Sequence, residues 1–195
     1  MKLLSVNVGL PREIEWKGKI VRTSIFKEPV SGRVRVTKLN VSGDQQSDLA
    51  VHGGINKAVY VYPSEHYAFW REELPGADLP WGMFGENLTT EGPLDDQTVF
   101  IGDRFQIRSA EFVVTQPHSG RNGFYLAVLQ EGEVAAGESI ELVARDQNGI
   151  TVAEIVNLYS ADAANQDLLR RVSELSALPE SWRDYFRKRL WNPDD

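Results

Sequence analysis

The pattern of hydrophobic and polar positions changes its period near residue 145 of this chain. Before that point, short apolar runs are interrupted by Gly, Asn, Asp or Pro about every ten residues, which is typical of a protein built from short strands. Nine segments follow this pattern and predict strands at 2–8, 18–22, 33–41, 58–62, 98–101, 104–107, 111–115, 124–129 and 139–144. We therefore expect a mainly β fold, arranged as a sandwich or a barrel.

One tight hairpin is predicted within this β region. The segments 98–101 and 104–107 are separated only by Gly102 and Asp103. A Gly-Asp pair suits the positive φ values that a two-residue hairpin turn requires. We expect these two segments to pair as antiparallel neighbours.

Helical spacing occurs in two places. After Pro63, apolar residues at Tyr67, Trp70 and Leu74 predict one helix that ends before Pro75. From Thr151 onward the helical period persists, and Thr151 with Glu154 forms a capping-box pattern. Two further helices are predicted around 168–175 and 182–190. We interpret residues 1–147 as a β domain and residues 148–195 as a three-helix extension, joined by a hinge at 146–149.

Composition and charge exclude several classes of function. The chain has 195 residues, of which 42% are hydrophobic, and a formal net charge of −7. This charge argues against a protein that grips a nucleic acid polymer over a wide face. Its apolar runs are shorter than the roughly 20 residues that cross a bilayer, and the first residues lack a signal-peptide cleavage pattern. We expect a cytoplasmic protein without a membrane partner.

The chain contains no cysteine. Disulfides, thiolate metal sites and cysteine nucleophiles are therefore excluded. The sequence also contains no nucleotide-binding glycine loop and no serine-hydrolase elbow.

Residues 43–58 form the densest cluster of candidate functional side chains. Asp48, His52 and Lys57 lie in this stretch, and the adjacent Gly53 and Gly54 allow the backbone to approach a ligand closely. The spacing of Asp48 and His52 matches no specific metal pattern. A tight loop with a structurally satisfied histidine is the alternative.

Two smaller clusters also carry polar candidates. Glu86 and Asn87 lie in a glycine-flanked segment, where they serve either as ligand contacts or as turn residues. Ser24 and Lys27 follow a predicted strand, where a hydroxyl and an ammonium group suit a phosphate but also suit a solvated strand end.

The order of these motifs resembles the MOSC domain, named for the C-terminal part of molybdenum cofactor sulfurases. The resemblance rests on motifs that occur in the family's order and spacing: 23–27, Gly43-Asp44, Asp48, 52–54, 57–60, 62–63, 65–67, Trp70, 84–88, Gly102-Asp103 and 115–117. The tail, with Trp182 and the segment 186–191, is similar to the three-helix extension of the bacterial stand-alone branch.

The resemblance implies a MOSC-type β-barrel that binds the molybdenum cofactor, a pterin with a dithiolene-held metal and a phosphate. It implies an oxidoreductase that reduces N-hydroxylated bases or related small molecules, with electrons from a flavin-containing reductase, and thereby detoxifies such bases. The family is also associated with pyridoxal phosphate binding. Non-catalytic carriage of the molybdenum cofactor or of sulfur is the alternative function, and a plain β interaction domain is a third. Self-association as a homodimer stays open.

The same resemblance assigns residues to the cofactor. Ser24, Lys27 and Lys57 are expected to hold its phosphate and pterin, with Gly53 and Gly54 allowing close approach. The residues expected to line the pocket are Asp48, His52, Glu86, Asn87 and Gln116.

One feature of the family is missing from this chain. In the family, the motif that matches residues 115–117 is followed by a metal-binding cysteine. Here Pro117 is followed at once by His118, and the pattern is short by roughly twenty residues, the size of an active-site loop. Either a loop is omitted from this sequence between Pro117 and His118, or the protein has lost its metal ligand. We favour the omitted loop, because losing it while keeping the rest of the pocket is the less economical change.

The helical tail is locally basic on an acidic chain. Its basic residues are Arg170, Arg171, Arg183, Arg187, Lys188 and Arg189. They predict either a docking face for an acidic redox partner or a solvated helix surface.

Overall fold

A computed structural model describes residues 1–47, 53–118, 123–161 and 165–191. Within these ranges the chain is mainly β, with twelve strands and four α-helices. The strands are β1 (Lys2–Val8), β2 (Arg12–Trp16), β3 (Lys19–Thr23), β4 (Glu28–Pro29), β5 (Val34–Val36), β6 (Val59–Pro63), β7 (Leu88–Glu91), β8 (Arg104–Ile107), β9 (Ala110–Pro117), β10 (Phe124–Gln130), β11 (Gly132–Val134) and β12 (Ile140–Ala144). The helices are α1 (Ser64–Glu73), α2 (Val152–Ser160), α3 (Gln166–Glu174) and α4 (Glu180–Trp191).

Eight strands form the main sheet, in the order β12-β8-β9-β10-β6-β7-β1-β4. Backbone bonds also join the region of β1 to the start of β12: Leu3 N donates to Glu138 O at 2.9 Å, and Ile140 N donates to Met1 O at 3.0 Å. These bonds bring β1 close to β12 on the other side of the sheet, although the strands of the described residues do not pair into a closed barrel. Two further two-stranded sheets, β5-β11 and β2-β3, complete the β structure.

The three C-terminal helices share the core of the sheet. Ile155, Leu169 and Phe186 are fully buried in the same hydrophobic cluster as Phe112 of β9. The predicted capping box at the start of α2 is confirmed, because Thr151 accepts from Glu154 N and Glu154 accepts from Thr151 N. A mainly β body followed by three helices is therefore confirmed.

The predicted hairpin about Gly102 and Asp103 is wrong. Residues 98–101 form a turn and a single bridge between Phe100 and Thr151. The buried Asp103 carboxylate accepts hydrogen bonds from the backbone nitrogens of Phe100 and Asp146, at 2.9 Å each. Asp103 therefore joins two turns that are distant in the sequence, and β8 pairs with β9 and β12 instead of with residues 98–101.

The chain between β12 and α2 is hydrogen-bonded to the sheet body. Asp146 N bonds to Asp103, and Ile150 O accepts from Ile101 N at 2.9 Å. The boundary at residue 147 and the hinge stay predictions. In the described part of the chain, no helix combines the length and apolarity needed to span a membrane.

Candidate functional site

A cavity of about 300 Å³ opens beside the main sheet, between the segment after β3 and strands β6 and β10. Its polar lining includes Ser24, Lys27, Lys57 and Asn87, four of the residues that the sequence proposes for the cofactor. The structure thus brings together candidates that lie up to 63 positions apart in the chain. The other lining residues are Val21, Arg22, Thr23, Ile25, Gln46, Ser47, Tyr60, Phe84, Gly85, His118 and Tyr125.

Three rings form one wall of the cavity. Tyr60 of β6 and Tyr125 of β10 are directly paired across the two strands, and their ring centroids lie 5.3 Å apart. The His118 ring stacks on Tyr60 at 4.7 Å with an interplanar angle of 24°. Cross-strand neighbours on one face of a sheet meet in this way, so β6, β9 and β10 together position the wall.

Burial changes the acid–base behaviour of the two phenols. Desolvation raises the pKa of Tyr125 to about 12 and raises the pKa of Tyr60 well above its ordinary value. Both hydroxyls therefore stay protonated at physiological pH.

Lys27 is held by a buried carboxylate. Its ammonium group lies 2.5 Å from Asp44 Oδ2, and both side chains are almost completely buried. Asp44 also accepts from Gly9 N and from Asn87 Nδ2, at 2.9 Å each. Burial lowers the pKa of Lys27, against the opposing effect of Asp44. Lys27 thus reaches the cavity as half of an ion pair, with much of its charge neutralised.

Lys57 and Ser24 enter the cavity from different segments. Lys57 ends a short 3₁₀ turn, Ile55–Lys57, and its Nζ lies 5.9 Å from the centroid of the Tyr125 ring. Burial lowers the pKa of Lys57. The hydroxyl of Ser24 is hydrogen-bonded to that of Ser47, and both line the cavity.

Glu86 lies outside the cavity lining and is fully buried. Its carboxylate accepts from the Tyr67 hydroxyl at 2.5 Å, from Gly82 N at 2.8 Å, from Thr89 Oγ1 at 2.8 Å and from Phe84 N at 3.2 Å. Burial and this carboxylate raise the pKa of Tyr67. The expected role of Glu86 as a pocket-lining residue is therefore corrected to that of a clamp on the segment that presents Phe84 and Gly85.

The remaining candidates divide into three groups. Asp48 and His52 lie outside the described residues. Gly54 begins the 3₁₀ turn with a φ of 95°, which explains the glycine, but neither Gly53 nor Gly54 belongs to the described lining. Gln116 is buried opposite Tyr125 in the ladder, and its neighbour Thr115 bonds Asn56 O and Tyr125 O instead of facing a ligand.

Sequence reasoning missed Asp44 and the aromatic wall. Alternation in β6 marks Tyr60 and Tyr62 as one face, but nothing local indicates that Tyr125 is the residue opposite Tyr60. Asp44 is part of the Gly43-Asp44 motif, although its partner Lys27 lies 17 positions earlier.

The junction that lacks the cysteine lies between β9 and β10. Pro117 of β9 pairs with Phe124 of β10, and His118 N donates to Gly123 O at 3.2 Å. Between these flanks only residues 119–122 lie outside the described part of the chain. The sequence of 195 residues passes through this junction without a break. The prediction that a loop is omitted from this sequence is therefore wrong, and the chain passes from β9 to β10 without a cysteine-bearing segment.

These features define a class of protein: a mainly β body with a cationic and aromatic cavity, extended by three helices packed on the same core. Residues 48–119 match the model of the MOSC domain, and residues 150–191 match the YiiM-like, 3-alpha helix domain. The chain belongs to the MOSC-domain family, in the branch that carries this helical extension.

Similar proteins cover nearly the whole chain. Uncharacterized protein YflK of Bacillus subtilis is 39% identical, over 96% of this chain and 93% of the relative. The crystal structure of YiiM from Geobacillus stearothermophilus has a TM-score of 0.79 and 31% identity, covering 97% of this chain and 98% of that one. A protein named Reductase from Gibberella moniliformis is 27% identical to this chain. The alignment covers 96% of this chain and 37% of that longer relative.

The alignment with YflK also indicates a deletion in this chain. It runs over 208 positions but covers only 96% of 195 residues, so about 20 positions of the relative face no residue here. This length agrees with the loop that the sequence motifs indicate to be missing after Pro117.

The cavity residues meet only part of what the molybdenum cofactor requires. Hydroxyl groups and Lys57 fit a phosphate, and the ring wall fits a flat heterocycle. A molybdenum centre requires a soft anionic protein donor, and the chain contains no cysteine. Among the described residues, no group of three or more His, Asp or Glu side chains is placed to hold a metal ion. The cavity thus fits the organic part of the cofactor and does not fit its metal.

Proposed function

We propose that this protein binds a phosphorylated, pterin-like cofactor of the molybdenum cofactor class in the cavity, as a binding or carrier module. The observation that supports the proposal is the combination of Lys57, clustered hydroxyls and a three-ring wall within about 300 Å³. Such a mixture of a few polar groups with aromatic surface is typical of cofactor sites.

The phosphate is held by Lys57 together with Ser24 and Ser47. An ammonium group and hydroxyl donors give charge-assisted hydrogen bonds, which are shorter and stronger than neutral ones. The chain has a formal net charge of −7, so most of its surface repels an anion. Lys57 is a local positive charge that attracts the phosphate within this surface.

The heterocycle packs against the rings of Tyr60, His118 and Tyr125. Stacking on aromatic side chains binds any flat heterocycle, and the neutral phenols add hydrogen-bond donors. No step of a metal reaction is assigned, since no thiolate is present to hold the metal.

The second candidate is the reduction of N-hydroxylated bases or related small molecules, with electrons from a flavin-containing reductase. Membership of the MOSC family and the name of the Reductase relative favour it. We rank this reductase function below the binding function because the cysteine is missing. The redox chemistry depends on a metal that the described residues do not ligate.

Isothermal titration with guanosine monophosphate tests the binding proposal. Guanine and pterin share the same 2-amino-4-oxopyrimidine ring, and guanosine serves as the matched ligand without phosphate. We expect the monophosphate to bind at least tenfold more tightly than guanosine. Lys57→Met is expected to weaken monophosphate binding about tenfold, because a charge-assisted hydrogen bond is lost. Lys188→Met, an exposed lysine on α4, is the control.

Equal binding of guanosine and its monophosphate, or unchanged binding by Lys57→Met, would contradict the proposal. A second measurement separates binding from reduction. Protein from a host that makes molybdenum cofactor is analysed for molybdenum and for turnover of an N-hydroxylated purine with a flavoprotein donor. Bound pterin without turnover supports the binding module, whereas molybdenum-dependent turnover would favour the reductase.

A further inference from the structure

The hairpin β2–β3 stands apart from the main sheet. It forms its own two-stranded sheet, closed by Lys17 and Gly18 at φ values of 50° and 73°. Most of its side chains are exposed, including Trp16 at 61% and Ile20 at 70%. An isolated two-stranded hairpin is only marginally stable in water, so an exposed apolar hairpin beside a cavity suggests a surface that is covered when the protein works.

The register of the hairpin separates two different faces. Cross-strand partners are Arg12 with Thr23, Ile14 with Val21, and Trp16 with Lys19. Because side chains alternate along a strand, these six residues share one face, which we call the inner face. The outer face carries Glu13, Glu15, Ile20 and Arg22.

The end of the hairpin nearest the cavity continues the cavity wall. Val21 and Thr23 of the inner face belong to the cavity lining, together with Arg22 of the outer face. Ile14 and Thr23 are partly buried, while Ile20 on the outer face is among the most exposed apolar residues. Arg12 packs over the Phe26 ring at 3.7 Å, which holds the base of the hairpin against the segment that follows it.

Charge is also divided between the two faces. Both acidic residues of the hairpin, Glu13 and Glu15, lie on the outer face. The inner face carries only cations among its charged residues, Arg12 and Lys19, around the apolar strip of Ile14, Val21 and Trp16. A strip of this kind suits a ligand that combines an anionic link with a second ring.

We propose that the inner face is an outer subsite for a second aromatic ring, so that the site accepts a dinucleotide: two ring systems joined through a pyrophosphate. This inference rests on the proposed binding function. A strand rises about 3.4 Å per residue, so the Trp16–Lys19 pair lies roughly 13 Å along the hairpin from Thr23 at the cavity. A ligand confined to the cavity does not cover this distance, whereas a second nucleotide extending from the phosphate does.

The test compares guanosine monophosphate with diguanosine pyrophosphate by titration on three proteins. On the unmodified chain we expect the dinucleotide to bind about tenfold more tightly, since one base stacked on an aromatic side chain contributes on this order. Trp16→Ala is expected to remove that gain and leave monophosphate binding unchanged. Ile20→Ala is the matched control, because Ile20 is an apolar residue of the outer face and is more exposed than Trp16; this variant is expected to keep the gain.

Trp16→Phe protects the test against a hairpin that fails to form. It retains a ring, and we expect it to keep most of the dinucleotide gain that Trp16→Ala loses. A dinucleotide that binds no better than the monophosphate, or a gain that survives Trp16→Ala, overturns the subsite while the cavity proposal stands. Absence of monophosphate binding on the unmodified chain overturns the proposed function itself.

Discussion

Glu86 is a buried carboxylate whose environment consists of donors. Four groups donate to it, and they come from helix α1, from strand β7 and from the turn between them. A carboxylate accepts several hydrogen bonds at once and donates none, which is what this arrangement requires. The residue thereby fixes the backbone that carries Phe84 and Gly85 to the cavity.

Glu86→Gln replaces one acceptor oxygen with an amide that donates. At least one buried donor then loses its partner, so we expect a loss of about 1–3 kcal/mol in the free energy of unfolding, measured by urea denaturation. Glu174→Gln, at an exposed position of α3, is expected to change the free energy by less than about 0.5 kcal/mol. Equal stability of Glu86→Gln and the parent chain would contradict the clamp role.

Lys57 gives the cavity a pH dependence, because burial lowers its pKa below the ordinary value of 10.5. Above this lowered pKa the free protein has lost the positive charge that holds an anion, so affinity for inorganic phosphate is expected to fall at pH values between the lowered pKa and the ordinary 10.5. The unfolded chain keeps the Lys57 proton up to its ordinary pKa, and the Lys57 contribution to stability therefore rises with pH in the same range.

Titrations with phosphate across this range test the pH dependence. Lys57→Met has no group to titrate at this position, and we expect its weaker phosphate affinity to change less with pH than that of the parent chain. The comparison also separates Lys57 from Lys27, whose pKa is lowered as well and which is present in both proteins. Parallel pH profiles would exclude Lys57 as the source.

Among the elements, the C-terminal helices use their basic residues within the chain. Arg189 donates to Leu158 O and Ala161 O at the end of α2, at 2.6 Å each. Arg171 donates to Asn148 O, and Arg187 bonds Glu180, Asp184 and Ser173 O. Five of the six basic residues make such contacts, when the ion pairs of Arg170 and Arg183 are included. These contacts favour a structural role over the docking of an acidic redox partner.

Arg189→Met removes two charge-assisted hydrogen bonds from the carboxyl end of α2. The last carbonyls of a helix lack partners within the helix, so we expect the free energy of unfolding to fall by about 1.5–3 kcal/mol. Thermal or urea unfolding measures the change, and exposed Lys188→Met on the same helix is the control. A loss no larger than that of the control would show that water replaces Arg189 at no cost.

At the scale of the whole molecule, sheet and helices form one packed unit. Buried residues of all three C-terminal helices lie in the hydrophobic cluster of the main sheet. Asp103 ties the end of β12 to the turn at Phe100, and the segment around Ile150 bonds to Ile101. The helical extension therefore covers the sheet directly, and its loss would expose a large part of the core.

The sequence predicts the elements better than their pairing. The capping box at Thr151 and the helix after Pro63 are local patterns, and both are confirmed. The 98–107 hairpin is wrong because Asp103 makes its bonds to residues far along the chain, which a turn propensity does not include. Ser24 and Lys57 line the same cavity, whereas Glu86 lies outside the lining and accepts hydrogen bonds from α1, β7 and the turn between them.

By itself, the sequence determined the mainly β class, the helical tail, the family and the absence of a thiolate, because these depend on residue identity, periodicity and spacing. Only the tertiary structure decided that Lys27 is paired with Asp44, that Tyr60 faces Tyr125, and that β9 and β10 join where the cysteine loop is missing. The physical reason is that strand register and burial bring distant residues into contact, and these contacts decide which charges and rings face the cavity.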